Sequence, residues 1–94
     1  MFGISKTEDG RISMSGRLDA AQVERAREVF DLVQTSCDVD FEELAYISSA
    51  GLGLLFATQK RLVDEGEGLR LINLNPHIRE VFQIAGFDNV FEIA

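Results

Sequence analysis

The chain has 94 residues, 46% of them hydrophobic and 27% charged, a composition ordinary for one globular domain built on one core. Its formal net charge is −7, which nucleic-acid phosphates and anionic membranes would repel and a basic partner would be drawn to. No apolar run approaches the ~20 residues that span a bilayer, and the lone Cys37 excludes an internal disulfide.

Phe2 to Lys6 reads as a short first strand. Glu8-Asp9-Gly10 follows as a hairpin signal, because Asp-Gly suits the positive φ angles of a tight turn. From Arg11 to Leu18 the chain alternates, with Ile12, Met14 and Leu18 on one side and Arg11, Ser13, Ser15 and Arg17 on the other, the pattern of a half-buried strand. Asp19 is placed to cap the next helix. On that helix Val23, Ala26, Phe30 and Val33 form one apolar stripe, with Glu24, Arg25, Arg27, Glu28 and Asp31 outside it.

Cys37, Val39 and Phe41 alternate with Asp38 and Asp40 and predict a third strand. Glu42 to Ile47 reads as a connection. Ser48-Ser49 opens a second helix whose inward face is expected to carry Leu52, Leu55, Phe56, Gln59, Leu62 and Val63, with Gly66 and Gly68 ending it. Leu69 to Leu74 predicts a fourth strand. Asn75-Pro76 is a strong helix start, with Asn at the cap and Pro where its missing N–H costs nothing. Ile78, Val81, Phe82 and Ala85 form that helix's apolar stripe, Gly86 fits its stop, and Val90 to Ile93 reads as a last short strand or tail. Strands alternating with helices imply parallel pairs joined by crossovers, plus an antiparallel edge from the first hairpin.

The opening of the second helix carries the functional signal. Gly51 and Gly53 lie in its first turns, where each costs about 1 kcal/mol relative to Ala. Glycine there lets another surface approach backbone N–H groups that have no helical partner and that favour negative charge. A serine at this point can serve as a cap alone, or it can carry a phosphate, which the helix end tolerates and which adds about −1.5 to −2 charges. A partner packed against that spot would then face a large anion.

Tyr46-Ile47-Ser48-Ser49-Ala50-Gly51-Leu52-Gly53, following a strand and a connection, resembles the STAS domain, the fold of bacterial anti-sigma factor antagonists. Gly16-Arg17-Leu18-Asp19 is similar to that family's Gly-x-Leu/Ile-Asp turn before the first helix. Gly68-Leu69-Arg70-Leu71 and Val81-Phe82-Gln83-Ile84-Ala85-Gly86-Phe87 are similar to its later strand and helix, so the likeness runs along nearly the whole chain in order. It implies an α/β fold: one STAS domain over residues 1–94, a mixed and mostly parallel sheet with helices packed against it.

The resemblance also implies a function. The unmodified protein binds an anti-sigma factor of the serine kinase type and frees the sigma factor, so regulating transcription through protein–protein contact. The kinase transfers phosphate from ATP to the serine at the helix start, the complex separates, and a serine phosphatase resets it. The acceptor aligns with Ser49, with Ser48 as the alternative. The implied partner surface comprises Asp19, Ser48, Ser49, Ala50, Gly51 and Gly53, although Asp19 reads equally well as a helix cap. Many phosphorylated members carry Asp where this chain has Ser48. Either Ser48 replaces it harmlessly, or it shares the acceptor role, or phosphorylation has been lost. Within the same fold, the alternative is an accessory subunit of a lipid or membrane transport complex, whose helix start docks on an ATPase without phosphorylation.

An enzyme is the less favoured class. A serine hydrolase elbow needs Gly two residues before its nucleophile, and Ile47 stands there relative to Ser49. His77, the only histidine, follows a helix start on an expected surface turn, away from any nucleophile. Gly51-x-Gly53 lacks the third Gly of a dinucleotide fingerprint and the Lys of a P-loop. No spacing fits a metal-ligand set, so no metal, cofactor or catalytic residue is expected. Cys37 is expected to be a small core residue. Met1-Phe2-Gly3-Ile4-Ser5-Lys6 lacks a basic segment followed by an apolar one, so no signal peptide is expected, and the expected location is cytoplasmic.

Overall fold

Strands β1 (Phe2–Lys6) and β2 (Ile12–Leu18) form the expected hairpin in the computed structural model, which describes residues 1–94. The Thr7 N–H donates to the Arg11 carbonyl at 2.8 Å, the Thr7 hydroxyl donates to the Asp9 carboxylate, and Gly10 takes a φ of +90°. A 3-10 turn over Ala20–Gln22 leads into α1 (Val23–Phe30). The chain continues through β3 (Cys37–Ile47), α2 (Ser49–Val63), β4 (Leu69–Ile72), α3 (Pro76–Ile84) and β5 (Glu92–Ile93). The sheet order is β1-β2-β3-β4-β5. Only the β1–β2 pair is antiparallel; β2–β3, β3–β4 and β4–β5 are parallel.

This order determines where the helices go. Each parallel crossover adds the next strand on the same side of the last, and right-handed connections then bring successive helices to one face of the sheet. Burial follows that division. Ile12, Met14, Leu18, Val39, Phe41, Leu44, Ile47, Leu69 and Leu71 are buried beneath the helices. Residues pointing the other way, including Ser15, Arg17, Glu43, Arg70 and Glu92, are exposed. The open face is therefore polar, and the 22 buried hydrophobic residues form one core.

Three side chains link the layers. Arg61 on α2 donates to the Val33 carbonyl at 2.8 Å and to the Phe30 carbonyl at 3.0 Å, closing the end of α1. Gln59, buried, accepts from the Leu69 N–H at 2.7 Å and donates to the Val90 carbonyl at 2.9 Å. Arg25 donates to the Phe2 carbonyl at 2.8 Å, tying α1 to the edge strand. Phe82 packs edge-on against Phe41, Phe87 and Phe91, which seats α3.

Several expectations are corrected. Glu42 to Ile47 is not a connection; it is the second half of β3. Between Ser13 and Ser15, and again between Gly16 and Arg17, the β2–β3 register shifts by one residue. Each bulge breaks the period-2 pattern and hides the strand. On α2, Phe56 and Val63 face outward, 38% and 56% exposed, while Leu54 and Thr58 are buried. Phe56 stacks on Phe87 with ring centroids 5.3 Å apart. Ala85 is exposed, at the C-cap position just past α3. β4 stops at Ile72, where Asn73 turns with a φ of +60°, a conformation Asn tolerates better than most residues. Val33 lies beyond α1 but is buried. Cys37 is half-buried at the margin of the core, and its burial pushes the thiol pKa up.

Asp19 caps the 3-10 turn before α1 and not α1 itself, which follows Gln22 without a side-chain cap; the end signals of α3 hold. Asn75 caps α3 by accepting from the Ile78 N–H at 2.8 Å, Pro76 is its first residue, and Gly86 takes a φ of +77° just past its end. His77 is exposed.

Candidate functional site

Two strand ends and one helix start meet at the carboxyl edge of the sheet. Leu18 pairs with Ile47 across β2 and β3, and the Ser48 N–H donates to the Leu18 carbonyl at 2.9 Å. That bond brings the turn after β2 against the start of α2. Asp19 stands in the turn, its carboxylate accepting from the Ala21 N–H at 3.1 Å. It caps the 3-10 turn, and the turn packs on α2.

The two serines differ in kind. Ser48 is partly buried with extended backbone, and its hydroxyl accepts from the Gly51 N–H at 3.1 Å. It is the helix cap and satisfies one of the N–H groups that a helix start leaves unpaired. Ser49, the first helical residue, is exposed, and Ala50 beside it is exposed too. The first turn of α2 holds no acidic residue, while Lys60 and Arg61 lie in its last turn. The helix dipole is thus left free to favour negative charge at its start.

The two glycines also part company. A Cβ on Gly51 would lie 2.9 Å from Ile47 Cγ1 and 3.0 Å from Leu18 Cδ2 and Cγ. Gly51 is buried and lets α2 press against the ends of β2 and β3. A Cβ on Gly53 would meet nothing within 4 Å, and Gly53 is exposed. On the outside of the helix Ser49, Gly53, Phe56, Ala57 and Lys60 recur at three- and four-residue intervals, all exposed.

Residues 3–93 match a family model described as "Mlab, STAS domain". The chain belongs to the STAS domain family. Among its relatives is BtrV of Bordetella bronchiseptica, provisionally named an anti-sigma factor antagonist. It is 45% identical over 56 residues, which is 60% of this chain and 48% of BtrV, so the match spans about half of that protein. The anti-sigma-B factor antagonist of Bacillus subtilis is 26% identical over 89 residues, 92% of this chain and 82% of that one. The solved structures include the Bacillus cell fate determinant SpoIIAA in its phosphorylated form, with a TM-score of 0.72 and 25% identity over 100% of this chain and 91% of that one. The anti-sigma factor antagonist SpoIIAA in its unphosphorylated form gives 0.73 and 23%, over 100% and 87%.

In this STAS domain Gly16, the first residue of the Gly-x-Leu-Asp turn, has a φ of +78°, and a Cβ there would collide with the Met1 carbonyl. That carbonyl accepts from the Arg17 N–H at 2.9 Å. This glycine, inside β2, thus lets the start of β1 lie close beside it. Arg17 and Tyr46 are neighbours of the site that a reading of the sequence does not find. They pair in register, and the Arg17 guanidinium lies 4.2 Å from the centre of the Tyr46 ring. Both flank residues already singled out, but their pairing depends on the second bulge in β3. The outward Phe56 also escapes, because its size and hydrophobicity point to the core. No helix is long and apolar enough to cross a membrane.

Proposed function

We propose that this STAS domain is an anti-sigma factor antagonist whose contact surface is the amino end of α2, and that phosphorylation of Ser49 switches the contact off. Its partners in this reading are an anti-sigma factor of the serine kinase type and a serine phosphatase. The observation that carries the proposal is the division of labour between the serines: Ser48 is committed to capping, while Ser49 is exposed one residue on. A cap has to keep its oxygen on a backbone N–H. An acceptor has to present its hydroxyl to a kinase, and only Ser49 is exposed to do so. The family's phosphorylated SpoIIAA and its antagonist members support the same role.

In this reading Asp19, Ser48, Ala50 and Gly53 frame the acceptor, and Gly51 acts from beneath by setting how closely α2 sits on the sheet. Phosphate on Ser49 would be tolerated by the domain, since it falls at a helix start. It would oppose a bound partner, because packing against it requires taking a dianion out of water.

The test is phosphate mapping after incubation with ATP and a kinase-type anti-sigma factor that binds the protein. Label on Ser49, abolished by Ser49→Ala and retained in Ser48→Ala, is the expected result. Label on Ser48 alone would overturn the assignment. Failure of kinase-type anti-sigma factors to bind or label the chain, together with its co-purification with a transport ATPase, would favour the accessory-subunit reading. That role would use the same exposed helix start without phosphate.

A further inference from the structure

Arg17 differs from most other arginines of the domain in what holds it. Arg27 and Arg70 pair with carboxylates, and Arg25, Arg61 and Arg79 donate to backbone carbonyls. Arg17 instead lies over the ring of Tyr46 at 4.2 Å, exposed, one residue before Leu18. Leu18 is the residue whose carbonyl accepts from Ser48. Arg17 and Ser49 are therefore each one residue removed from a single hydrogen-bonded pair. With about 3.8 Å between consecutive Cα atoms and about 5 Å across adjacent chains, their Cα atoms are no more than roughly 13 Å apart by that path. Arg17 leaves the sheet on its open face and Ser49 begins α2 on the other, so the two meet around the carboxyl edge, where an extended arginine and a phosphoseryl side chain together span about that distance.

We propose that Arg17 is the residue that reads the state of Ser49: when Ser49 carries phosphate, the guanidinium leaves the Tyr46 ring and pairs with the phosphate. The inference rests on the reading of Ser49 as the acceptor. An exposed cation–π contact is weaker than a guanidinium–phosphate pair, which is charge-assisted and bidentate. Phosphate thus draws Arg17 from its resting place, and the unmodified hydroxyl does not. The switch then has a second effect beside repulsion of the partner. It moves a positive side chain from the open face of the sheet to the start of α2 and fixes it there.

Two carboxylates bear on the pair. Asp19 is held in its turn by the Ala21 N–H, and Glu43 stands opposite Ser15, on the exposed face that Arg17 shares. Both oppose ionisation of a nearby phosphate, and both remain when Arg17 is replaced, so a comparison at Arg17 isolates its contribution.

The experiment places phosphoserine at position 49 during synthesis of the full chain, so no kinase is needed. The second ionisation of the phosphate, ordinarily near pH ~6, is followed by phosphorus NMR. With Arg17 present the phosphate is expected to be the stronger acid, about threefold over the Arg17→Gln protein. Arg17→Lys is expected to keep most of that difference, which loss of packing alone would not explain. Tyr46 is the only tyrosine and the chain has no tryptophan, so its fluorescence reports the other end of the movement. Emission is expected to change between unmodified and phosphorylated protein, and the change is expected to vanish in Arg17→Gln. Equal phosphate ionisation in the parent and the Arg17→Gln protein, or a Tyr46 signal indifferent to phosphate, would overturn the proposal. A kinase that labels Ser48 instead would overturn the Ser49 reading by a different result.

Discussion

Two glycines in adjacent turns of α2 are predicted to respond with opposite sign to the same substitution. At Gly53 an added methyl meets open space. Gly53→Ala is therefore expected to stabilise the domain by about 0.5–1 kcal/mol, the gain of Ala over Gly inside a helix. At Gly51 the same gain is opposed. The new Cβ would sit 2.9–3.0 Å from Ile47 Cγ1 and from Leu18 Cγ and Cδ2, nearer than packed carbons rest. Leu18 is fully buried and Ile47 is 5% exposed, so neither has free space to move into. Overpacking of a filled core costs about 1–3 kcal/mol, and subtracting the helix gain leaves Gly51→Ala destabilised by up to about 2 kcal/mol. In a domain of this size each kcal/mol moves Tm by about 4–8 °C. Urea unfolding and thermal scans of the two variants therefore should fall on opposite sides of the parent. A Gly51→Ala protein as stable as Gly53→Ala would refute the claim that Gly51 serves close packing of α2 on the sheet.

Ser48→Ala is expected to lower stability by about 1 kcal/mol through loss of its cap, whereas Ser49→Ala should stay within about 0.5 kcal/mol of the parent; urea midpoints separate the two. Gln59→Leu leaves the Leu69 N–H and the Val90 carbonyl without their partner, at a cost of about 1–3 kcal/mol, and faster amide exchange at Leu69 would report it. The Arg70 side chain, hydrogen-bonded to Asp38 in a double contact at 3.0 Å, holds that carboxyl below its usual range. Because the folded value is the lower one, the pair's contribution is complete above the ordinary Asp range and fades as pH falls through the depressed value. Arg70→Gln should return Asp38 to the ordinary range in an NMR titration and remove that part of the acid dependence, which is small for so exposed a pair.

The sequence is most readable where local chemistry acts alone. Asn75-Pro76 and Gly86 bracket α3 through cap and φ preferences that need no partner. Glu42 to Ile47 reads wrongly as a connection because two bulges set the β3 side chains by pairing with β2, which a period-2 pattern does not record. Size and hydrophobicity assign Phe56 inward; its outward position follows from the rotation of α2, which turns Leu54, Leu55 and Thr58 to the sheet. At the site, the helix start and its serines are legible from Ser48-Ser49-Ala50-Gly51. The division between Ser48 and Ser49 is not, since both are good caps and only the path of β3 decides which one is first. Nor is the difference between Gly51 and Gly53, which arises from Leu18 and Ile47 converging beneath one of them.

Whether charge at the start of α2 governs the contact can be measured as the affinity of a kinase-type anti-sigma factor for two forms of the chain, unmodified and carrying phosphoserine at position 49, by titration calorimetry. The unmodified protein is expected to bind, and phosphate is expected to weaken binding about 100-fold or more, the consequence of desolvating added negative charge at the contact. Equal affinity for the two forms would show that the helix start is not the switch.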